Sequence, residues 1–135
     1  MFVIKTHITD PSAETFAFSA QKTMYGGKRI AKGDTIFIFA SENEGGSGLV
    51  AAGIVTAVCA IPRKAGIDRQ TPRVSIRVKR TAVAKRRLGR DELKPFSKWD
   101  DGRPETELNF KFYRQATNKI AASSNDAATF LGRFL

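Results

Sequence analysis

The sequence predicts an α+β fold, in which a small mixed, barrel-like β-sheet carries flanking helices. Period-2 alternation or β-branched apolar runs recur along the chain, and other segments have helical spacing. The chain has 135 residues, of which 41% are hydrophobic, a size and composition typical of one domain with its own core. Several strands with flanking helices on so short a chain favour a sheet that curls into a barrel. We therefore interpret residues 1–135 as a single domain.

The N-terminal segment is predicted to form a strand, a helix and a second strand. Apolar and polar residues alternate from Phe2 to Ile8, as in a half-buried strand. Asp10-Pro11 is typical of a helix start, because the carboxylate accepts from exposed amides and proline fits the first helical position. A helix is predicted from there to Gly26-Gly27, and an aromatic, β-branched strand over 35–41. The apolar residues at helical spacing are Ala13, Phe16, Ala17, Ala20 and Met24.

Two more strands are predicted in the middle of the chain. Residues 42–48 are polar and Gly-rich, and they connect to an apolar strand over 49–61 that we expect to be buried on both faces and bent at Gly53. A basic connection over 62–72 follows. In 73–79 the apolar residues point one way and the cations the other, so one face packs and the other faces polyanions.

The C-terminal part has weaker patterns. A short helix is predicted near 90–94 and a polar loop over 99–102. Residues 108–112 fit a strand, but apolar residues from 108 to 120 also fit a helix, and periodicity leaves both open. Ser124 is predicted to cap a C-terminal helix with an apolar stripe.

The net positive charge lies entirely beyond residue 60. The chain has 23 Lys and Arg against 13 Asp and Glu; residues 1–60 hold five of each, which leaves 23 − 5 = 18 against 13 − 5 = 8 for residues 61–135, the whole excess of +10. Such a field attracts polyanions, so we expect a nucleic-acid partner. The alternative is that several charges merely solvate a strand and a loop. The expected phosphate-binding residues are Arg63, Lys64, Arg73, Arg77, Lys79, Lys85, Arg86, Arg87, Lys28 and Arg29.

The predicted hairpin between residues 33 and 58 resembles a strand pair of the PUA-like superfamily, particularly its EVE and ASCH branches. It has Gly33-Asp34, an apolar strand ending in Ser41, a Gly-rich loop, then Gly53-Ile54-Val55 and Val58. The likeness covers about the first half of the chain well, and extends more loosely to the basic strand and the C-terminal helix. It implies a small mixed barrel that binds RNA, or a modified base held in a pocket. We therefore expect RNA more than DNA.

The motifs of both branches are incomplete. The EVE strand ends in Tyr-x-Ser; Ser41 matches the serine, but Phe39 occupies the tyrosine position. The tryptophan expected near the end of the first strand is missing, and His7 lies in that neighbourhood. In the ASCH motif Gly-x-Lys-x-x-Glu-x-Arg, Gly26 and Lys28 match, whereas the glutamate and arginine are replaced.

A base-binding pocket is expected where the strand over 35–41 leaves the sheet. Ser41 and Asn43 follow that strand, a common place for ligand-facing polar groups. Tyr25 and Trp99 are aromatic residues that could stack on bases. The alternative for the polar pair is a simple hairpin cap, and for the aromatic residues a place in the core or its rim.

Two other functions remain open. An enzyme acting on a nucleoside or nucleic acid, similar to ASCH-like amidohydrolases or nucleases, would use Lys22, Lys28, Glu42 or His7 as acid/base groups. A basic module that docks on an acidic protein is the third hypothesis. Since His7 is the single histidine, no metal site is predicted, and no cofactor is expected.

The expected compartment is the cytoplasm. The single cysteine, Cys59, excludes an internal disulfide, and its apolar neighbours predict core packing. The N-terminal residues lack the pattern of a secretory signal. The longest apolar segment, 49–62, is too short to span a bilayer, so no membrane contact is expected.

Overall fold

The computed structural model describes residues 1–67 and 70–135, and Asp68 and Arg69 of the predicted basic connection lie outside the described residues. The described chain forms six strands that close into a mixed barrel in the order β1-β3-β4-β5-β2-β6. Three short α-helices flank it, which confirms the predicted α+β class with a curled sheet. The strands are β1 (Phe2–Thr6), β2 (Thr15–Met24), β3 (Thr35–Ala40), β4 (Gly48–Ala60), β5 (Arg73–Val83) and β6 (Lys119–Ala122); the helices are α1 (Arg90–Leu93), α2 (Pro104–Asn109) and α3 (Asn125–Gly132).

The sheet is mixed because two of its pairings are parallel. β1 runs parallel to β3, and β2 runs parallel to β6, whereas the other neighbours are antiparallel. The parallel pair β1 and β3 therefore ends at the same rim of the barrel, at Thr6 and Ala40. Loops that leave this rim can bring polar side chains together.

Two apolar cores lie on opposite faces of the sheet. Ile4, Ile38 and Ile120 belong to the core inside the barrel. Val3 and Phe39 belong to a second core, which also includes apolar residues of the helices. All five residues of β1 are consequently buried, since one side of the strand faces the barrel interior and the other faces the helical layer.

The helix predicted after Asp10-Pro11 is wrong, because this segment forms strand β2. Asp10 Oδ1 accepts from the Ser12 amide at 3.0 Å and from the Ser12 hydroxyl at 2.8 Å, so the carboxylate closes a local turn instead of capping a helix. Phe16 and Phe18 point into the barrel core, and the residues between and beside them are exposed. The helix was predicted from Ala13, Phe16, Ala17, Ala20 and Met24, whereas the alternation of Phe16 and Phe18 fits the strand that closes the barrel.

The predicted β3–β4 hairpin is present, with one correction. The register of β4 shifts between Ala52 and Gly53, where a bend is predicted. Burial on both faces holds only as far as Val55, because residues 56–60 are exposed. β3 begins at Thr35 opposite Ile54, so β4 runs on past the end of its neighbour. Cys59 lies in this overhang and is exposed, which overturns its predicted core packing.

The C-terminal part resolves the open alternative in favour of a helix. α2 continues into a π-helical turn over Phe110–Arg114. β6 was not predicted, and it closes the barrel between β1 and β2. Ser124 caps α3 as predicted, since its hydroxyl accepts from the Ala127 amide at 3.1 Å. Among the described residues, none of the helices has the length and apolar character needed to cross a membrane.

Candidate functional site

A cavity of about 490 Å³ opens at the rim where β1 and β3 end. Its wall includes Thr6 at the end of β1, Ser41 directly after β3, and Arg73 at the start of β5. Residues 19–22 of β2 and 116–118 before β6 complete the wall together with Asn43 and Glu44. The cavity therefore draws on segments that are far apart in the sequence and meet only because the barrel closes.

A bulge in β2 shapes one side of this cavity. The register of β2 on β5 shifts between Phe18 and Gln21, and Ala20 has a φ of 49°, in the left-handed region. The Ala20 amide donates to Ser75 Oγ at 2.9 Å, and the Arg73 guanidinium donates to the Ala20 carbonyl oxygen at 2.7 Å. Both backbone groups of the bulge are thus held by side chains of β5, and Arg73 is oriented at the cavity wall.

Ser41 lies in the cavity wall, and its side-chain hydroxyl is buried without a partner in the part of the chain that the structure describes. The residue is 1% exposed, and its hydroxyl has no hydrogen-bond partner among residues 1–67 and 70–135. Its backbone is fixed, because its amide donates to the Thr6 carbonyl at 2.9 Å and its carbonyl accepts from the Gly46 amide at 2.8 Å. A buried hydroxyl left unpaired costs about 1–3 kcal/mol, and a ligand in the cavity would recover this cost if the Ser41 side chain turned toward it.

The Gly-rich loop after β3 folds tightly instead of acting as a flexible connection. A Cβ at Gly46 would lie 2.5 Å from the carbonyl carbon of Ala40, so only glycine permits this approach. The loop also forms a short 3₁₀ helix over Glu42–Glu44. Asn43 and Glu44 are thereby held next to Ser41 at the cavity.

Two side-chain amides at the cavity, those of Asn43 and Asn118, each use one polar group in a hydrogen bond within the protein. Asn43 Oδ1 accepts from the Arg90 guanidinium at 2.5 Å, which leaves the Asn43 amino group as a donor. Asn118 Nδ2 donates to Glu44 Oε1 at 2.6 Å, which leaves the Asn118 carbonyl oxygen as an acceptor. The cavity consequently offers both donors and acceptors to a planar polar ligand.

A partly buried hydrogen-bond network lies behind the loop. Tyr113 donates its hydroxyl to Glu42 Oε1 at 3.0 Å, and the Arg90 amide donates to Glu42 Oε2 at 2.6 Å. Burial, together with the Glu42 carboxylate, raises the pKa of Tyr113 far above its usual value, so the hydroxyl stays protonated. This network fixes the 3₁₀ helix and, through Arg90, the side chain of Asn43.

Two buried lysines hold the 116–118 side of the cavity. Lys5 Nζ donates to the carbonyls of Phe112 at 2.7 Å and Ala116 at 3.3 Å, and Lys119 Nζ donates to those of Lys111 and Gln115. These carbonyls lie at the end of the π-helical turn, where intrahelical partners run out. Burial lowers the pKa of Lys119 to about 8, and the charge of Lys5 adds to the effect. Burial likewise lowers the pKa of Lys5, against the opposing effect of Glu42.

The predicted phosphate-binding residues lie in several places. Arg73 lines the cavity, and Arg63 and Lys64 line a groove of about 260 Å³ beside it. Arg77 and Lys79 follow Arg73 along the exposed face of β5 and line neither space. The sequence prediction of an exposed cationic face over 73–79 agrees with this pattern, since Arg73, Arg77 and Lys79 are exposed whereas Val74, Ile76 and Val78 are buried.

The remaining predicted cations are distant in the fold or engaged. Lys85, Arg86 and Arg87 follow the opposite end of β5, about 33 Å along the strand from Arg73. Arg86 donates to the Arg133 carbonyl at 2.6 Å and stacks on Phe134, and Arg87 lies 3.5 Å from Glu92 Oε2. Lys28 and Arg29 are exposed in the 3₁₀ helix that follows β2.

The two predicted aromatic residues do not line the cavity. Tyr25 is 43% exposed, and its hydroxyl bonds Gln115 Oε1 at 2.5 Å. Trp99 is 79% exposed and borders a separate cavity with Arg103 and Phe110. No aromatic side chain of the described chain lines the cavity at the rim, so stacking there would have to use the Arg73 guanidinium.

Lys22 is the one member of the candidate acid/base set that reaches the cavity. Glu42 is engaged by Tyr113 and Arg90, and Lys28 lies in the 3₁₀ helix after β2. His7 Nδ1 lies 3.9 Å from Glu44 Oε2. Among the described residues, no group of three or more His, Cys, Asp or Glu side chains is arranged to hold a metal ion.

Sequence reasoning missed several cavity residues. Gln21 lies in a segment predicted to be helical, and Asn118 precedes the unpredicted β6. Lys22 was predicted only as an acid/base candidate and not as part of a pocket. Thr6 could have been found, because the sequence predicts β1 and strand ends commonly present ligand-facing groups. The bulge at Ala20 has no signal in the sequence.

The closed mixed barrel with three short flanking helices in its described part is the small α+β PUA-like fold. Solved structures of similar architecture include the DUF55 domain of human thymocyte nuclear protein 1, an EVE/PUA-like domain, with a TM-score of 0.61, 13% identity, and coverage of 96% of this chain and 94% of that one. A protein from Pseudomonas syringae is similar with a TM-score of 0.59 and 14% identity over 99% of both chains. A hypothetical protein from Leishmania major has a TM-score of 0.57 and 15% identity over 98% of this chain and 92% of that one. No protein-family model matches the sequence, and no curated protein matches it.

Proposed function

We propose that this protein binds nucleic acid, either RNA or a modified nucleotide, by holding phosphates on its basic strand and taking one base into the rim cavity. Ser41 carries the proposal. Its buried, unpartnered hydroxyl belongs to a cavity whose volume suits a small polar ligand. Once the Ser41 side chain turns toward the cavity, a donor or acceptor of the ligand would remove the cost of leaving this group unpaired.

The edge of a nucleobase matches the polar groups of the cavity. Such an edge presents donors and acceptors side by side, and the cavity offers the Asn43 amino group and the Asn118 carbonyl oxygen beside Ser41. The planar guanidinium of Arg73, fixed by Ala20, is suited to stack on the face of a base or to bond a phosphate. This chemistry favours a base over an apolar ligand.

The cations beside the cavity support a strand that continues outside it. Lys22 and Arg73 lie at the mouth, and Arg77 is exposed on the same face of β5. No ion pair of these three side chains is found within residues 1–67 and 70–135. Within those residues no carboxylate neutralises these three cations, and cations of this kind form strong charge-assisted hydrogen bonds with phosphates.

A salt titration tests the proposal. The fluorescence anisotropy of a labelled, sequence-randomised single-stranded RNA of about ten nucleotides is measured from about 50 to about 200 mM salt. If about four to six cations neutralise phosphates, log K falls against log salt with a slope of about −3 to −4. Arg73→Ala should weaken binding and reduce the slope by about 0.7.

The matched control is Lys32→Ala, which removes an exposed lysine that lines neither the cavity nor the groove. It should leave the affinity for RNA within about twofold of the wild type. RNA binding that lacks a salt slope, or that weakens equally in both variants, would contradict the proposal. Capture of an acidic protein that resists nuclease treatment would favour the protein-docking alternative instead.

A further inference from the structure

The rim cavity and the groove beside it share two cationic side chains. Lys22 and Arg73 line both of them, so the two spaces adjoin with these cations in the common wall. Arg73 is anchored to the Ala20 carbonyl, and Lys22 is half-buried in the same shared wall. This arrangement fits a ligand in which an anionic group links two larger groups, one for each space.

The groove differs from the rim cavity in chemistry. It is lined on its apolar side by Ile61 and Ile67, which are 37% and 49% exposed, and by Pro62 and Pro72. Its other lining groups include cations, and no aspartate or glutamate of the described chain lines it. An apolar floor with a cationic rim suits the face of a nucleoside whose phosphate points to the rim.

The groove is organised by a side chain. Gln70 Oε1 accepts from the Lys64 amide at 2.9 Å, and Gln70 Nε2 donates to the carbonyls of Lys64 at 2.7 Å and Ile67 at 3.0 Å. The Gln70 amide thus forms the hydrogen bonds that a paired strand would provide across the β4–β5 connection. Ile67 is held over the groove by this clamp.

From these observations we infer that the groove is a second nucleoside subsite for the nucleotide next to the base in the rim cavity, with Lys22 and Arg73 binding the phosphate that links the two. This inference rests on the proposed nucleic-acid function and specifies its ligand: a single strand of at least two nucleotides with an internal phosphate. Charge complementarity selects this occupant, because the shared cations lie at the junction of the two spaces and not at their outer ends.

Competition experiments test the subsite. Labelled single-stranded RNA bound to the protein is displaced by a mixture of ribonucleoside monophosphates or by a mixture of ribodinucleotides. The dinucleotides should compete about tenfold better, because only they fill both spaces. Ile67→Ser should bring this ratio toward one, and Ile67→Trp should raise it by adding a stacking face. Ile67 is exposed, so both variants should fold, and Lys32→Ala should keep the wild-type ratio.

The outcomes separate the two proposals. If the RNA binds with the expected salt slope but both mixtures compete equally, or if Ile67→Ser keeps the wild-type ratio, the subsite is wrong and the nucleic-acid function stands. If the wild-type protein fails to bind the RNA, both proposals are wrong. Displacement of the RNA by an acidic peptide that depends on Ile67 would assign the groove to a protein partner and overturn the subsite.

Discussion

The guanidinium of Arg73 donates a hydrogen bond of 2.7 Å to the carbonyl oxygen of Ala20, and this bond joins the basic strand to the bulge that lines the cavity. Ala20 has a φ of 49°, a conformation that costs a non-glycine residue about 1–2 kcal/mol. The strained conformation of Ala20 thus directs its carbonyl oxygen to Arg73, the cation that lines both candidate subsites. Strain of this kind is typical of binding sites.

Replacing Ala20 by glycine should relieve this strain. Glycine adopts the left-handed region readily, but it also increases the entropy of the unfolded chain, and the two effects offset each other to within about 0.5 kcal/mol. Ala17→Gly is the matched control on the same strand, where φ is not positive and the fold should lose about 1 kcal/mol. Urea unfolding measures both. Equal losses in the two variants would contradict the assignment of strain to Ala20.

Ser75 should affect binding without contributing a charge. Ser75→Ala removes the acceptor of the Ala20 amide and should cost about 1–2 kcal/mol of folding free energy. A loosened bulge no longer orients Arg73, so RNA affinity should fall while the salt slope stays at the wild-type value. In Arg73→Ala, by contrast, the slope itself falls. A slope reduced as much in Ser75→Ala as in Arg73→Ala would show that the serine contributes to phosphate binding in another way.

Local patterns predicted the elements that local chemistry determines. The β3–β4 hairpin, the alternating β5 and the Ser124 cap each have their signal within a few residues. β2 had two competing patterns, because Phe16 recurs at helical spacing with Ala13 and Ala20 and also alternates with Phe18 along a strand. The segment forms a strand because it pairs with β5 and β6 to close the barrel, and no local sequence pattern predicts this long-range pairing.

The residues of the candidate site likewise fall into those that local patterns predict and those that they do not. Ser41, Asn43 and Arg73 were predicted from strand ends and charge, and the structure brings all three to one cavity. Asn118 and Lys22 could not be grouped with them, since they arrive through β6 and the bulge. Charge density alone also could not tell the two ends of β5 apart, and so the cations at 85–87 were predicted together with Arg73.

Ser41→Ala should separate stability from function. Removing a buried hydroxyl that lacks a partner should leave the free energy of unfolding unchanged or increase it by up to about 1 kcal/mol. RNA binding should weaken, because the ligand loses a hydrogen bond. Ser123→Ala is the matched control, since Ser123 Oγ is also buried without a partner in the described chain but does not line the cavity. Both variants should be at least as stable as the wild type, and only Ser41→Ala should bind less tightly. A Ser41→Ala protein with wild-type affinity would remove the main support for the base cavity.

Lys119 should make stability depend on pH above neutrality. Its pKa is about 8 in the folded protein against 10.5 when unperturbed, so between these values the unfolded chain binds more protons than the native state. The free energy of unfolding should therefore increase as the pH rises, so that the protein gains about 1–2 kcal/mol of stability between about pH 7.5 and 9.5. Lys119→Met removes the titrating amine and should reduce this rise to the part that Lys5 contributes, since burial also lowers the pKa of Lys5, whereas Lys32→Met, at an exposed lysine, should keep the whole rise. The window stops below pH 10 because Tyr113, whose pKa is raised, acts in the opposite direction once free tyrosine ionises. Urea unfolding at a series of pH values measures the stability of the three proteins. If the stability of the wild type and of Lys119→Met changes equally with pH, the buried amine keeps its ordinary pKa. Its hydrogen bonds to the carbonyls of Lys111 and Gln115 would then offset the effect of burial.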